Sequence, residues 1–469
     1  MSPLIKPDSC RDLEFILRRR FKKSTFRPLQ RKVIEFALAG HDIFVQAATG
    51  FGKSLCFQFP AVIDHGITIV VSPLLSLMTD QVNALRNCGI EAGTINGMTS
   101  YEERQQLLQD LSTGHPLTRL LYVTPEQCAN DAFRKHLKTV YKQKELARIA
   151  IDEAHCISEW GHDFRPSFKE LKWFRANFPE VPVICLTATA IEQVRTDVIS
   201  ILGLNPSNLK VFTMTTDRKN LHYEVRFKNS ENDHFHDFLA WIKAVHQRRA
   251  ENKERRAELE EENQRIDNVS GIIYTIFRQD CEILASRLRA NGIGAKPYHA
   301  GLRNEEKNET LRCWVENCVG YDVIVATTAF GMGIDKEDVR FVIHWQIPKS
   351  FEGFYQEAGR AGRDGKASAC ILYYSHEDRD RMFNRMNKDI NDELYMIARY
   401  KSLQALVNYC EDTSTCRHQM ITRYFGETEV PLCDYACDWH KDAEALKKAK
   451  NRNLPNNMSL SNQDCPLKY

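Results

Sequence analysis

Two adjacent carboxylates, Asp152 and Glu153, open the stretch Asp-Glu-Ala-His-Cys-Ile-Ser-Glu-Trp-Gly-His-Asp-Phe-Arg-Pro that runs to residue 166. Such a pair suits a metal–nucleotide site, with Asp152 on Mg²⁺ and Glu153 polarising a water. Trp160, Phe164 and Arg165 follow within a dozen residues. They offer the flat and cationic surfaces on which single-stranded nucleic acid stacks. One short loop is thus placed to sense a nucleotide and a base together. The plainer alternative is a surface loop that holds these residues by chance.

Four other groups carry chemistry of their own. Ala47-Ala-Thr-Gly-Phe-Gly-Lys-Ser54 is a glycine-containing loop ending in Gly-Lys-Ser. In such a loop backbone N–H groups cradle phosphates, Lys53 reaches the β- and γ-phosphates, and Ser54 holds Mg²⁺. Its first position is Ala47 rather than glycine, but Gly50, Gly52, Lys53 and Ser54 remain. Upstream, Phe26-Arg27-Pro28-Leu29-Gln30 opens a helical pattern. A glutamine amide both donates to and accepts from an adenine edge, and an aromatic ring stacks on the base. An ordinary helix start is the alternative. Far downstream, Gln356-Glu-Ala-Gly-Arg-Ala-Gly-Arg-Asp-Gly365 sets Arg360 and Arg363 three apart in a glycine-rich turn. An arginine at a triphosphate stabilises the phosphoryl-transfer transition state, a contribution of ~10³-fold or more. Finally, Cys416, Cys433, Cys437 and His440 have the spacing and donor types of a tetrahedral Cys₃His zinc site. Cys410 competes with Cys416 or His440 for a place in it.

These residues need elements to hold them. Apolar strands are expected at 43–46, Ile67–Val71, Leu120–Val123, Leu146–Ile151 and 183–186, with helical patterns between them. They end in Ser72, Thr124, the Asp152–Glu153 pair and Thr187. This is a doubly wound α/β domain with its working edge at the strand C-termini. The hydroxyls there suit phosphate contacts or, one by one, helix capping. A second α/β block starts at Gly271–Tyr274 and continues through strands at 322–327 and 339–344. The last block is helical, with Leu394, Ile397, Leu403, Leu406 and Val407 periodic. Residues 245–268 alternate charge signs almost without apolar residues, as a solvated helix or a disordered insertion does. The segment from Lys441 onward is charged and then Asn/Ser-rich, and disorder is expected there.

Bulk properties bound the rest. The chain has 469 residues, 43% of them hydrophobic and 27% charged, enough for about three domains with large cores. Net charge is +2, so nucleic-acid binding has to come from local patches rather than from overall charge. No apolar run has transmembrane length, the N-terminus lacks a signal-peptide layout, and no membrane partner is expected. Most of the 15 cysteines stand singly in apolar segments, which suits a reducing compartment. Lys447-Lys448-Ala449-Lys450 is a thin basic cluster that hints at nuclear import.

Taken together, the motifs resemble the RecQ DNA helicases of superfamily 2, from about Leu13 to His440. The most specific are Asp152-Glu-Ala-His155 with its continuation to Pro166, and Gln356 to Gly365. The three-residue gap between Cys433 and Cys437 resembles the fifth-type RecQ branch of animals. The resemblance implies two tandem RecA-like lobes, at 1–215 and 216–375, a helical zinc-binding subdomain at 376–440 and a tail at 441–469. It implies ATP, Mg²⁺ and Zn²⁺ as cofactors and catalytic roles for Lys53, Asp152, Glu153, His155, Arg360 and Arg363. Nucleotide contacts are expected from Phe26, Arg27, Gln30, Thr49, Gly50, Gly52, Lys53, Ser54 and Asp335. Contacts to DNA are expected from Ser72, Thr124, Trp160, His162, Phe164, Arg165, His299 and Thr327. The implied activity is ATP-dependent 3′–5′ unwinding of duplex and branched DNA in repair, recombination or replication; the nucleus is the expected location, with a cytoplasmic pool as the alternative, and a monomer is the default expectation. Single-stranded and forked DNA are the expected partners. A strand-annealing protein in which ATP acts as a switch is the alternative. This chain departs from the family at Lys22-Lys23, where Gly-Tyr or Gly-His is usual, at Ala48 for proline, at Phe51 for a small residue and at His440 for a cysteine. No winged-helix domain is expected after the zinc region.

Overall fold

The computed structural model describes residues 10–48, 50–161, 163–228, 231–261, 265–328, 330, 336–386, 393–433 and 436–452. Thr49, His162 and Asp335, three of the expected site residues, lie outside them. Thirteen strands fall in two sheets among the described residues. The first seven are β1 (Asp42–Gln46), β2 (Ile67–Val71), β3 (Ala92–Ile95), β4 (Leu120–Val123), β5 (Leu146–Ile151), β6 (Val183–Thr187) and β7 (Leu209–Thr213). The other six are β8 (Leu221–Phe227), β9 (Gly271–Tyr274), β10 (Ala295–Tyr298), β11 (Val323–Ala326), β12 (Phe341–His344) and β13 (Ser368–Tyr374).

The first sheet runs β3-β4-β2-β5-β6-β1-β7 and the second β10-β11-β9-β12-β13-β8. Neighbouring strands pair in parallel throughout. Helices therefore cover both faces, and the central strands are continuous Ile/Val/Leu runs, buried at every position in β1, β2, β4 and β6. Each fully buried aliphatic side chain contributes about 1.5–3 kcal/mol, so these runs anchor the loops at their C-terminal ends. The architecture is α/β: two RecA-like doubly wound lobes, followed by a small helical zinc-binding subdomain.

That subdomain seals an exposed edge. Strand β8 ends the second sheet, and the zinc segment covers it. Tyr223 N donates to Ala436 O at 3.0 Å, and Val225 N donates to Asp438 Oδ2 at 2.9 Å. Asp438 also takes the fully buried Arg417 guanidinium at 2.8 Å. An unpaired edge is thereby closed by residues that flank the cysteines.

The structure decides between the two expectations for one stretch and departs from the expectation for another. Of the two states expected for the charged segment, it takes the helical one as far as Glu261: it continues the helix Glu231–Glu251 and forms another, Lys253–Glu261, whose Leu259 is fully buried. Disorder was expected from Lys441, yet the helix Asp438–Arg452 covers the described part of that segment, with a break at Asp442. There the Asp442 carboxylate accepts from Ala445 N at 2.9 Å and restarts the helix. Leu446 is buried and Lys450 Nζ donates to Glu411 O at 2.5 Å, so one apolar anchor and one cap hold a segment that looks solvated by composition. Among the described residues no helix is long and apolar enough to cross a membrane.

Candidate nucleotide and nucleic-acid site

A cleft of about 1120 Å³ lies between the lobes. Lys53, Ser54, Asp152 and Glu153 line it from one side, and Gln356, Arg360 and Arg363 from the other. The phosphate loop leaves β1 and enters the helix Leu55–Ile63. Its turn needs left-handed backbone at Gly50 (φ +88°) and Gly52 (φ +80°). At Gly52 a Cβ would also stand 2.7 Å from Gln30 Nε2, so a side chain there would have to displace that amide as well.

Lys53 is folded back, donating to Ala47 O at 2.9 Å and Ala48 O at 3.3 Å. Burial lowers its pKa and Arg363 adds to this, against the opposing pull of Glu153 and Asp152. Burial pushes Asp152 up to about 7 and the neighbouring Glu153 adds to that, while Lys53 opposes it. A further positive charge in the cleft would keep the buried Asp152 carboxylate ionised. Ser54 Oγ, which accepts from Gln81 Nε2 at 3.2 Å, and Asp152 are hard oxygen donors of the kind Mg²⁺ takes.

Glu153 adopts φ +51°, a left-handed conformation that costs energy for any residue with a Cβ. The strained turn starts the single 3₁₀ turn Ala154–Ile157 and swings His155 inward. His155 Nδ1 lies 3.3 Å from Glu153 Oε2 and 3.0 Å from Thr187 Oγ1 at the end of β6. Thr187 is thus linked to the carboxylate pair through an imidazole, and it also donates to Thr189 O.

The second lobe supplies the arginines. The Arg363 stem packs on the phosphate loop: a Cβ on Gly50 would stand 3.2 Å from Arg363 Cγ. Arg360 is 4% exposed, and its Nε has no hydrogen-bond partner among the described residues. Their turn is clamped from the link between the lobes. Arg218 donates to Ala361 O at 3.1 Å and Gly362 O at 2.8 Å, and Asn220 Nδ2 donates to Gly362 O at 2.9 Å. Gly362 (φ +57°) admits this because a Cβ there would lie 2.4 Å from Asn220 Nδ2.

The residues expected at adenine are arranged differently from one another. Gln30 accepts from Arg27 N at 2.8 Å and donates to Phe51 O at 2.9 Å, and Arg27 donates to Gly50 O. Both side chains thus brace the phosphate loop while lining the cleft. Phe26 is not among the lining residues; its ring packs edge-on against Phe59, 5.3 Å between centroids. Lys22 has φ +53°, so it occupies a backbone conformation that glycine would take freely.

On the nucleic-acid side the loop after Asp152 is tied to its neighbours. Arg165 pairs with Asp163 at 3.1 Å and donates to Pro73 O at 3.2 Å, beside Ser72. Ser167 Oγ donates to Glu126 at 2.8 Å, beside Thr124. Ser72, Thr124 and this loop therefore share one edge, at the ends of the adjacent strands β2, β4 and β5. The Ser72 hydroxyl is buried without a hydrogen-bond partner among the described residues, whereas Thr124 caps a helix turn by accepting from Gln127 N. Gly161 lies against His155: a Cβ there would meet His155 O at 2.2 Å. In the second lobe His299 and Thr327 also sit side by side, at the ends of β10 and β11. His299 is buried and both its ring nitrogens are engaged, one 3.0 Å from Glu282 and the other by Gly301 N. It holds the turn that follows β10.

Sequence reading missed Arg218, Asn220, Tyr395 and Lys401. The Lys401 ammonium lies 4.9 Å from the centre of the Trp160 ring, and Tyr395 lies 5.6 Å from Phe164. Both come from the helix Glu393–Glu411, more than 200 residues away, where no local pattern signals a partner.

At the zinc region the donor atoms of Cys416, Cys433, Cys437 and His440 lie within 4.8 Å of one another. Cys437 Sγ is 3.9 Å from Cys416 Sγ and 3.3 Å from His440 Nδ1. Three thiols and an imidazole at this spacing fit Zn²⁺. Cys410 is not part of the cluster; it is fully buried among apolar side chains.

Two RecA-like lobes with a phosphate loop under an arginine turn define the helicase engine. Comparison with known proteins specifies the family. Residues 27–197 match the DEAD/DEAH box helicase family, 254–365 the helicase conserved C-terminal domain and 376–441 the RecQ zinc-binding family. The chain is 40% identical to ATP-dependent DNA helicase Q5 of Rattus norvegicus over 94% of its own length and 44% of that protein's. It is 41% identical to RecQ-like DNA helicase BLM of Xenopus laevis, over 88% of its length and 29% of that protein's. It thus spans less than half of these relatives. Among solved structures, Saccharomyces cerevisiae Dbp5 bound to RNA shares the fold at 15% identity and a TM-score of 0.56, covering 94% of this chain and 97% of that one. The helicase MrfA bound to DNA does so at 18% identity and a TM-score of 0.60, covering 96% and 60%. The chain belongs to the RecQ helicase family.

Proposed function

We propose that the protein is an ATP-dependent DNA helicase that moves 3′ to 5′ along single-stranded DNA and separates duplex or forked DNA in the nucleus. The observation that carries this is the contact of Arg363 with Gly50, which joins the lobes across the cleft holding Lys53, Asp152 and Glu153. ATP would bind with its phosphates over the loop, and Mg²⁺ would be held by Ser54 and Asp152. The metal would offset the negative charge of the phosphates. Lys53 would leave the loop carbonyls for the phosphates. Glu153 would orient the attacking water and take its proton. Arg363 and Arg360 would stabilise the charge that develops. His155 and Thr187 would pass the state of the carboxylates to the loop carrying Trp160, Phe164 and Arg165, which contacts the strand. The nuclear assignment, the fifth-type branch and the place in repair, recombination or replication rest on the resemblance.

Polarity and ATP dependence test the reading together. Duplexes with a 3′ or a 5′ single-stranded tail are incubated with ATP or a non-hydrolysable analogue. Separation of the 3′-tailed duplex with ATP alone is expected. Equal separation of both, or separation with the analogue, contradicts it, and faster joining of complementary strands without ATP supports the annealing alternative.

A further inference from the structure

Three side chains from distant parts of the first lobe meet at the end of its sheet opposite the nucleotide cleft. His65 lies in the connection into β2, His115 in the connection into β4, and Glu145 immediately before β5. His65 Nε2 is 2.9 Å and His115 Nδ1 2.8 Å from the same Glu145 oxygen, Oε1. The three donor atoms lie within 4.8 Å of one another. The Glu145 side chain is 3% exposed, while the imidazoles are 68% and 84% exposed. No lysine or arginine pairs with this buried carboxylate among the described residues; its ion-pair partners are the two imidazoles.

The backbone that carries the three is fixed. Ile67 N donates to Glu145 O at 2.7 Å, and a Cβ on Gly66 would meet that oxygen at 2.2 Å, so the His65 connection lies flush against Glu145. Asp64, next to His65, pairs with the buried Arg148 at 2.8 Å. The His115 connection is held by Asp110, whose carboxylate accepts from Leu117 N at 2.9 Å and Thr118 N at 3.0 Å. Donors on ordered backbone lose little freedom on taking a ligand.

We propose that His65, His115 and Glu145 form a second metal site, separate from the cysteine cluster, that takes Zn²⁺ or a similar transition-metal dication. Two imidazoles and one carboxylate are a borderline-soft set that suits Zn²⁺ at about 2.0–2.2 Å per bond, with a position left for water. The buried carboxylate supplies the fixed charge. The exposed imidazoles supply the entry path and need only small rotations to share an ion in place of sharing one oxygen. Bound metal ties the connections into β2, β4 and β5 together.

The test uses full-length protein with its cysteine cluster zinc-loaded and excess metal removed. Titration with Zn²⁺ by calorimetry should show one further equivalent in the wild type. In His65→Ala/His115→Ala that equivalent should be lost or weakened at least about tenfold, with ATP hydrolysis unchanged, since both rings are exposed at the end of the sheet opposite the nucleotide cleft. Co²⁺ in the same site should give a spectrum without the thiolate charge-transfer bands of the cysteine cluster. Added Zn²⁺ should raise the melting temperature of the wild type and not of the variant. No further equivalent in the wild type, or the same equivalent in the double variant, overturns the proposal.

Discussion

Arg363 is the residue on which the two lobes meet. Its stem lies on Gly50 while its head shares a cleft with Lys53 and the carboxylate pair. Arg363→Ala should lower the kcat for ATP by ~10³-fold or more with a smaller change in KM, because such an arginine acts mainly on the transition state. Steady-state ATPase kinetics check this; an unchanged kcat removes Arg363 from catalysis. Residues like this were legible in the sequence because phosphate chemistry needs a fixed set of side chains on short local patterns. What holds them was not. Arg218 and Asn220 reach the arginine turn from about 140 residues upstream, and Gln30 engages the loop carbonyls rather than standing open to a base. Those partnerships are made by folding, not by spacing.

At the scale of elements, the loop after Asp152 is tied to its neighbours on several sides. Gly161 touches His155, Arg165 and Ser167 tie the loop to the ends of β2 and β4, and Lys401 covers Trp160. Gly161→Ala would force the loop off His155. It should leave ATP hydrolysis without DNA within about twofold of wild type while most of the stimulation by single-stranded DNA is lost, provided His155 transmits the state of the carboxylates. ATPase assays with and without oligonucleotide read this directly, and full stimulation in the variant shows that the contact carries nothing. Lys401→Ala should uncover Trp160 and strengthen binding of single-stranded DNA, read by fluorescence anisotropy; weaker binding shows that Lys401 itself contacts the strand. The central strands were legible as unbroken apolar runs. The edge strands β7 and β8 were not, since one face of each meets solvent or the zinc segment and polar residues interrupt the pattern. The helix after Asp442 was misread because one leucine and one capping aspartate outweigh a charged composition.

At the scale of the molecule, the zinc region is a clasp on the second lobe as well as a subdomain. Its segment pairs with β8 through Tyr223 and Val225, and Arg417 and Asp438 are buried beneath it. Removing zinc with a strong chelator should free that edge, lower the melting temperature by several degrees and promote aggregation through the exposed strand. Differential scanning fluorimetry with readdition of Zn²⁺ tests it; a melting temperature indifferent to chelation contradicts the clasp.

The central claim is that one nucleotide cleft powers strand separation. ATP hydrolysis and unwinding of a 3′-tailed duplex, followed together in the same sample for wild type and Lys53→Ala, test it most directly. Both activities in the wild type and neither in the variant are predicted. Turnover of ATP while the duplex stays closed, or unwinding that survives Lys53→Ala, would contradict it.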